Sequence, residues 1–237
     1  MNNRPIKENH KTNTGGIIRE VVFGANDGMV STLALVAGLT GAALSNWIIV
    51  LAGLTEVLTG AISMAVGTYI STKSQREYYN KELNKENYEI KNMPKKEIEE
   101  VREIYRKKGF KGKDLDLIVK TITASKKRWL DEMMVNELGL VKSSYEKPIN
   151  AGLWIGISFI IAGMIPVIPY LLNLEQNIAL IYAGVFTIIA LFVVGAVKGN
   201  LSARIWWKSG IEMVIIGGIT AAIGYLIGNA FSISNLI

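Results

Sequence analysis

The sequence has no cysteine and one histidine, His10, among its 237 residues. No disulfide framework and no thiolate metal site is possible. With imidazole confined to one polar position near the N-terminus, any bound metal must be met by carboxylate, backbone oxygen, water or thioether. Charge is also missing where a soluble protein would carry it. From Val21 to Thr72 only Asp27 and Glu56 are charged, from Pro148 to Val197 only Glu175, and after Lys208 only Glu212. A span needs about 20 such residues to cross the hydrocarbon layer. What charge there is lies mostly between Lys73 and Lys147, a segment dense in Lys and Glu. The net charge of +6 would suggest nucleic acid in a soluble chain. Here the basic residues flank apolar runs and set membrane orientation, so no nucleic-acid partner is expected. Residues 1–19 are polar and the run after them is too long for a signal peptide.

The pattern predicts an all-α polytopic membrane protein with five transmembrane helices. Spans are expected at about 17–39, 47–70, 150–172, 177–197 and 210–230. Residues 1–16 form a polar arm, 17–72 the first two spans, 73–147 a water-facing insert, and 148–237 the last three spans. The short link from Thr40 to Asn46 makes the first two spans a hairpin. Pro166 and Pro169 should kink or end the third. Five spans put every Lys and Arg on one side of the membrane, in the arm, the insert and the Lys198–Lys208 loop. That side is cytoplasmic by the positive-inside rule. Trp47, Trp154, Trp206 and Trp207 fall near span ends, as interfacial aromatics do.

The insert should hold three helices. The first continues the second span to about Met93. Pro94 opens the next, Lys95 to Lys108, which Gly109 and Gly112 close. The last runs from about Asp114 to Leu138. Its apolar positions Leu115, Ile118, Val119, Ile122, Trp129, Met133 and Val135 supply a small bundle face. Glycines at short spacing within the spans, among them Gly24 and Gly28, Gly60 and Gly67, and Gly224 and Gly228, suit close helix packing.

An ionisable residue inside a span is a functional candidate by default. Asp27 lies about ten residues into the first span, or roughly 15 Å at helical rise. Glu56 lies at similar depth from the other side. In a hairpin centred near Ala43, Asp27 is level with about Gly60, with Glu56 and Met64 one turn to either side. Asn26 and Ser63 add oxygens at this depth. Two buried acids with no Lys or Arg at their level suggest a cation path. A hydrogen-bonded structural carboxylate is the simpler alternative. In the insert, Glu86 and Glu89, and Glu97 and Glu100, are spaced to share a helix face, and Glu137 follows Met133 by one turn. Taken alone this is a weak signal, because Glu/Lys-rich helices are ordinarily solvated; Glu77, Glu82, Glu99 and Glu103 are expected to be such residues.

The stretch Arg19-Glu20-Val21-Val22-Phe23-Gly24-Ala25-Asn26-Asp27-Gly28-Met29-Val30-Ser31-Thr32 resembles the first-span signature of the vacuolar iron transporter family. Gly60-Ala61-Ile62-Ser63-Met64-Ala65-Val66-Gly67, followed by Tyr69, Ser71, Ser74 and Gln75, is similar to its second-span signature, and Glu137-Leu138-Gly139-Leu140 to the end of its cytoplasmic domain. The resemblance implies a homodimer that exports Fe2+, and often Mn2+, from the cytosol in exchange for protons. It implies that Asp27, Glu56 and Met64 lie on the membrane ion pathway, and that Glu86, Glu89, Glu97, Glu100, Met133, Met134 and Glu137 bind metal in the cytoplasmic domain. The metals are cargo; no cofactor is expected. One departure is Thr68, where many members carry Glu.

The rival readings are a membrane-anchored metal-storage protein and a passive divalent-cation channel. A di-iron enzyme usually needs Glu-x-x-His pairs, which one histidine at position 10 does not supply, so no enzymatic activity is expected. A compact chain without targeting extension suits the plasma membrane of a prokaryote, whereas a vacuolar membrane would require a eukaryotic host.

Overall fold

The computed structural model describes residues 12–141, 147–172 and 174–232. They form eight helices: α1 (Thr12–Gly41), α2 (Asn46–Asn92), α3 (Pro94–Lys107), α4 (Gly112–Thr123), α5 (Lys126–Asn136), α6 (Pro148–Leu171), α7 (Gln176–Leu201) and α8 (Trp206–Ala230). The chain divides into two compact units, residues 1–70 with 148–237, and residues 71–147. Five helices are long and apolar enough to span a membrane: α1 from Gly16, α2, α6, α7 and α8. The protein is an all-helical, multi-pass integral membrane protein. Residues 1–11 of the expected polar arm, His10 included, lie outside the described residues, and α1 begins within that arm at Thr12.

In the first unit, small residues set the helix spacing. A Cβ added at Gly24 would lie 2.3 Å from Ser158 Oγ, and one at Gly28 2.5 Å from Phe159 O, so α1 meets α6 backbone to backbone. A Cβ at Gly228 would lie 1.7 Å from Gly38 O, which fixes α8 against α1 in the same way. Such proximity raises the dispersion contacts on which helix association in lipid depends. Gly67 departs from this pattern: nothing lies within 4 Å of its added Cβ. α6 runs on through Pro166 and Pro169 to Leu171. At the end away from the basic loops, Thr40 Oγ1 and Tyr170 OH are 2.7 Å apart, and Asn46 Nδ2 donates to Leu174 O at 2.7 Å. The Gln176 amide donates to Leu44 O. These bonds tie the α1–α2 link to the α6–α7 link.

The second unit packs around Ile90, Val101, Leu115, Val119, Ile122, Trp129 and Met133. Each buried side chain of this kind contributes roughly 1.5–3 kcal/mol from removal of apolar surface from water. Val135, expected on this face, is exposed. The single helix expected over 114–138 is two helices, broken at Ala124–Ser125. Ser125 adopts extended backbone (φ −127°, ψ 118°) at the start of α5. Serine tolerates that position, and the break lets both α4 and α5 turn apolar faces to one core. With the last part of α2, the insert therefore holds four helical segments rather than three. Gly109 takes φ +98° just beyond α3, as a chain-reversing residue should, whereas Gly112 (φ +57°) opens α4.

Candidate metal sites

In the membrane unit, α6 is a common platform for the two helices that carry acids. A Cβ added at Gly163 would lie 3.1 Å from Val57 Cγ2 on α2 and 3.2 Å from Gly28 O on α1. One added at Gly60 would meet the Phe159 ring at 2.5 Å. Position 28 is therefore level with the stretch between 57 and 60, which is the register read from the hairpin. Asp27 and Glu56 are the neighbours of Gly28 and Val57, and they lie close enough for their charges to interact. Both carboxylates and Met64 are half-buried, as is Asn26, whereas Ser63 is exposed. No Lys or Arg stands on either helix between Val21 and Thr72 to neutralise them. Two acids at one depth in hydrocarbon are costly unless a proton or a cation accompanies them.

The insert gathers the other predicted residues. Glu86 and Glu89 come from α2, Glu97 and Glu100 from α3, and Met133 and Met134 from α5, with Glu137 at its C-terminal cap. Glu97 is completely buried, and neither of its carboxylate oxygens has a hydrogen-bond partner. Glu86 is 2% exposed, with Oε2 likewise unpartnered. Met133 and Met134 are buried in the same unit. Burial, then the charges of Glu137, Glu89 and Glu100, pushes Glu86 up to about 7. Burial, then Glu100, Glu86, Glu89 and Glu137, pushes Glu97 up to about 7. Glu137 is raised by burial and by Glu100 and Glu89. The five glutamates thus share one electrostatic neighbourhood. Glu137 adds its charge at a helix C-terminus, where the backbone dipole is already negative. Lys96 reaches Glu100 at 3.0 Å as a partial counter-charge.

Among the described residues no three Asp, Glu or His side chains already converge as a closed metal cage. The glutamates share a field without meeting at one point. Glu77, Glu99 and Glu103 lie on the surface and pair with Lys73, Arg102 and Arg106, as expected. Glu82 departs from expectation. It is buried at 9% exposure, one turn before Glu86 on the same face of α2. Glu20 was also not singled out: it is 3% exposed at the basic end of α1 and accepts from Arg19 Nε at 3.0 Å. The spacing of four between Glu82 and Glu86 was the available signal for the first; for the second, only its place beside an apolar run.

The chain is 37% identical over 221 residues to the vacuolar iron transporter of Centaurea cyanus, covering 92% of this chain and 89% of that one. It is 35% identical over 218 residues to vacuolar iron transporter 1 of Arabidopsis thaliana, with 92% and 87% covered. Against the vacuolar iron transporter of Toxoplasma gondii it is 34% identical over 232 residues, with 94% and 77% covered. A sequence model of the VIT family matches residues 18–229, and the chain belongs to that family.

Proposed function

We propose that this protein moves a divalent transition metal, Fe2+ and also Mn2+, out of the cytosol in exchange for protons. Family membership and the names of the relatives support metal transport, and transport needs no catalytic residue. The observation that carries the reading is Glu97, a fully buried carboxylate with both oxygens unpartnered among four further glutamates. Such a group requires a proton or a cation. Oxygen donors with the Met133 and Met134 thioethers favour a transition metal over sodium, magnesium or calcium.

In this reading Glu86, Glu89, Glu97, Glu100 and Glu137, with Met133 and Met134, collect the metal on the cytosolic side and give up protons to it. Asp27, Glu56 and Met64 carry it through the membrane, and protons moving inward titrate the two acids and release it. The protein works as a homodimer. Thr55, Thr59, Ser63 and Gly67 recur every four residues along an exposed face of α2. The Thr55 and Thr59 hydroxyls donate to the carbonyls of Leu51 and Thr55 at 2.8 and 2.7 Å, so the face has small side chains and no unpaired donor there. Small residues at this spacing suit close approach of a second helix in lipid.

The arm and the insert face the cytosol, as the segregation of basic residues requires. The named relatives are eukaryotic proteins called vacuolar, so they lend no support to a prokaryotic plasma membrane. The charge distribution carries the sidedness and not the identity of the membrane. The test is metal flux into proteoliposomes under an imposed pH gradient, with Asp27→Ala for comparison. Loss of flux in the variant and acceleration by the gradient are expected. Unchanged flux in Asp27→Ala overturns the pathway. Metal that binds without crossing the bilayer identifies a storage protein, and flux indifferent to the gradient a channel.

A further inference from the structure

We propose that the loop between α7 and α8 binds the phosphate of an anionic phosphodiester lipid in the cytosolic leaflet. This site is separate from both metal sites and does not depend on the transported ion. A cavity of about 380 Å³ is lined there by Ala203, Arg204, Ile205, Lys208, Ser209 and Glu212. Ser209 is 4% exposed, and its hydroxyl oxygen has no hydrogen-bond partner. A buried, unpartnered hydroxyl in the wall of a cavity is a group waiting for a ligand atom.

Two further features select an anion, and a third shapes the turn. The first turn of α8, a 25-residue helix, has no side-chain cap and no acidic residue; the Lys208 and Ser209 amides donate to Ile205 O, which leaves the Trp206 and Trp207 amides and the dipole to meet negative charge. Arg204 precedes that turn and Lys208 lies within it, and among the described residues neither has a carboxylate partner. Ala203, just before Arg204, adopts φ +51°, a left-handed conformation that costs a non-glycine residue energy and sharpens the turn.

Location selects a lipid over soluble phosphate. The loop joins two membrane spans on the side that carries every basic residue, and that leaflet is the anionic one. Trp206 and Trp207 are both about half exposed, at the depth where amphipathic rings meet headgroups. Lys208 Nζ lies 5.5 Å from the centre of the Trp207 ring, poised over the same surface. Glu212 refines the chemistry. Its charge in the cavity wall opposes a dianion such as inorganic phosphate, whereas a singly charged phosphodiester is tolerated. A headgroup hydroxyl could donate to Glu212, as in phosphatidylglycerol.

The test uses the full-length chain in nanodiscs and reads quenching of its tryptophans by lipids brominated near the headgroup end of the acyl chains. Brominated phosphatidylglycerol should quench more than brominated phosphatidylcholine at equal mole fraction. Each basic side chain removed should lower the preference by about fivefold. Arg204→Gln with Lys208→Gln should abolish it, Ser209→Ala should reduce it, and Lys198→Gln, outside the cavity, should keep it. If the double variant does not assemble, Lys208→Gln and Ser209→Ala singly carry the same comparison. A preference unchanged in these variants, or lost equally in Lys198→Gln, overturns the site in favour of diffuse surface charge. Millimolar inorganic phosphate that abolishes the preference only when Arg204 is present overturns the lipid assignment in favour of a soluble anion. Failure of all metal flux would leave this measurement untouched.

Discussion

Metal loading of the insert should be steeply dependent on pH, and the size of the effect follows from two side chains. Glu86 and Glu97 each hold a proton up to about pH 7, because they are buried among other glutamates. A metal ion takes the ionised form, so each of these groups must release its proton on binding. If one proton is released, apparent affinity at pH 6 falls about 10-fold below that at pH 8; if both are released, about 100-fold. The neighbouring acids couple the two titrations, so the measured slope belongs to the cluster and not to either residue. The assay is a titration of the purified full-length chain with Mn2+, which resists oxidation by air, followed by Trp129 fluorescence at pH 6, 7 and 8. Trp129 is 7% exposed and shares the core with Met133, so it reports on this unit. Affinity that varies less than about threefold across this range refutes the assignment of both protons to the binding site.

Glu97→Gln removes a buried charge and should raise the metal-free melting temperature at pH 8, while shrinking the stabilisation that metal provides; differential scanning fluorimetry reads both. The sign follows from the raised carboxyl: its contribution to stability is present in full below pH 4.5 and is lost as pH rises through about 7. The wild-type advantage of metal-free protein at pH 5.5 over pH 8, about 2 kcal/mol for this group, should therefore fall in the variant. Gly228→Ala places a methyl group 1.7 Å from Gly38 O, where no flexible side chain can yield. It should cost on the order of 2 kcal/mol or more and lower the monodisperse fraction after mild heating. Tyr105→Phe removes the 2.7 Å hydrogen bond to Glu132 that links α3 to α5, for a loss of about 1 kcal/mol seen in the Trp129 unfolding transition.

The membrane half was legible in the sequence because hydrocarbon tolerates so few alternatives. Absence of charge marks a span, the position of basic residues marks its side, and the hairpin link alone places Asp27 level with Gly60. The packing at Gly28, Gly60 and Gly163 bears out that register. The insert was less legible, since water accepts a glutamate on any exposed face. Glu77 and Glu82 stand in the same Glu/Lys-rich stretch, and only the spacing of four from Glu86 sets buried Glu82 apart from exposed Glu77. The break at Ser125 was hidden for a related reason. Neither Gly nor Pro marks it, and the apolar positions on both sides keep an approximately helical spacing. Gly60 and Gly67 look alike in sequence, yet one is pressed on Phe159 and the other faces open space. That difference depends on which face of α2 meets α6.

Two kinds of proton exchange must be kept apart in judging how transport is driven. On the proposed reading the insert exchanges protons on one side of the membrane as metal binds, so cytosolic pH alone would change flux even through a channel. A transmembrane exchange has to use groups inside the bilayer. Within the apolar stretches of α1 and α2 those are Asp27 and Glu56, since position 68 is Thr here. The burden of proton coupling then falls on a pair of acids and not on three. Cytosolic pH should act through the loading affinity, and the gradient through turnover at saturating metal. Only the second effect bears on antiport, and only Asp27 and Glu56 should control it.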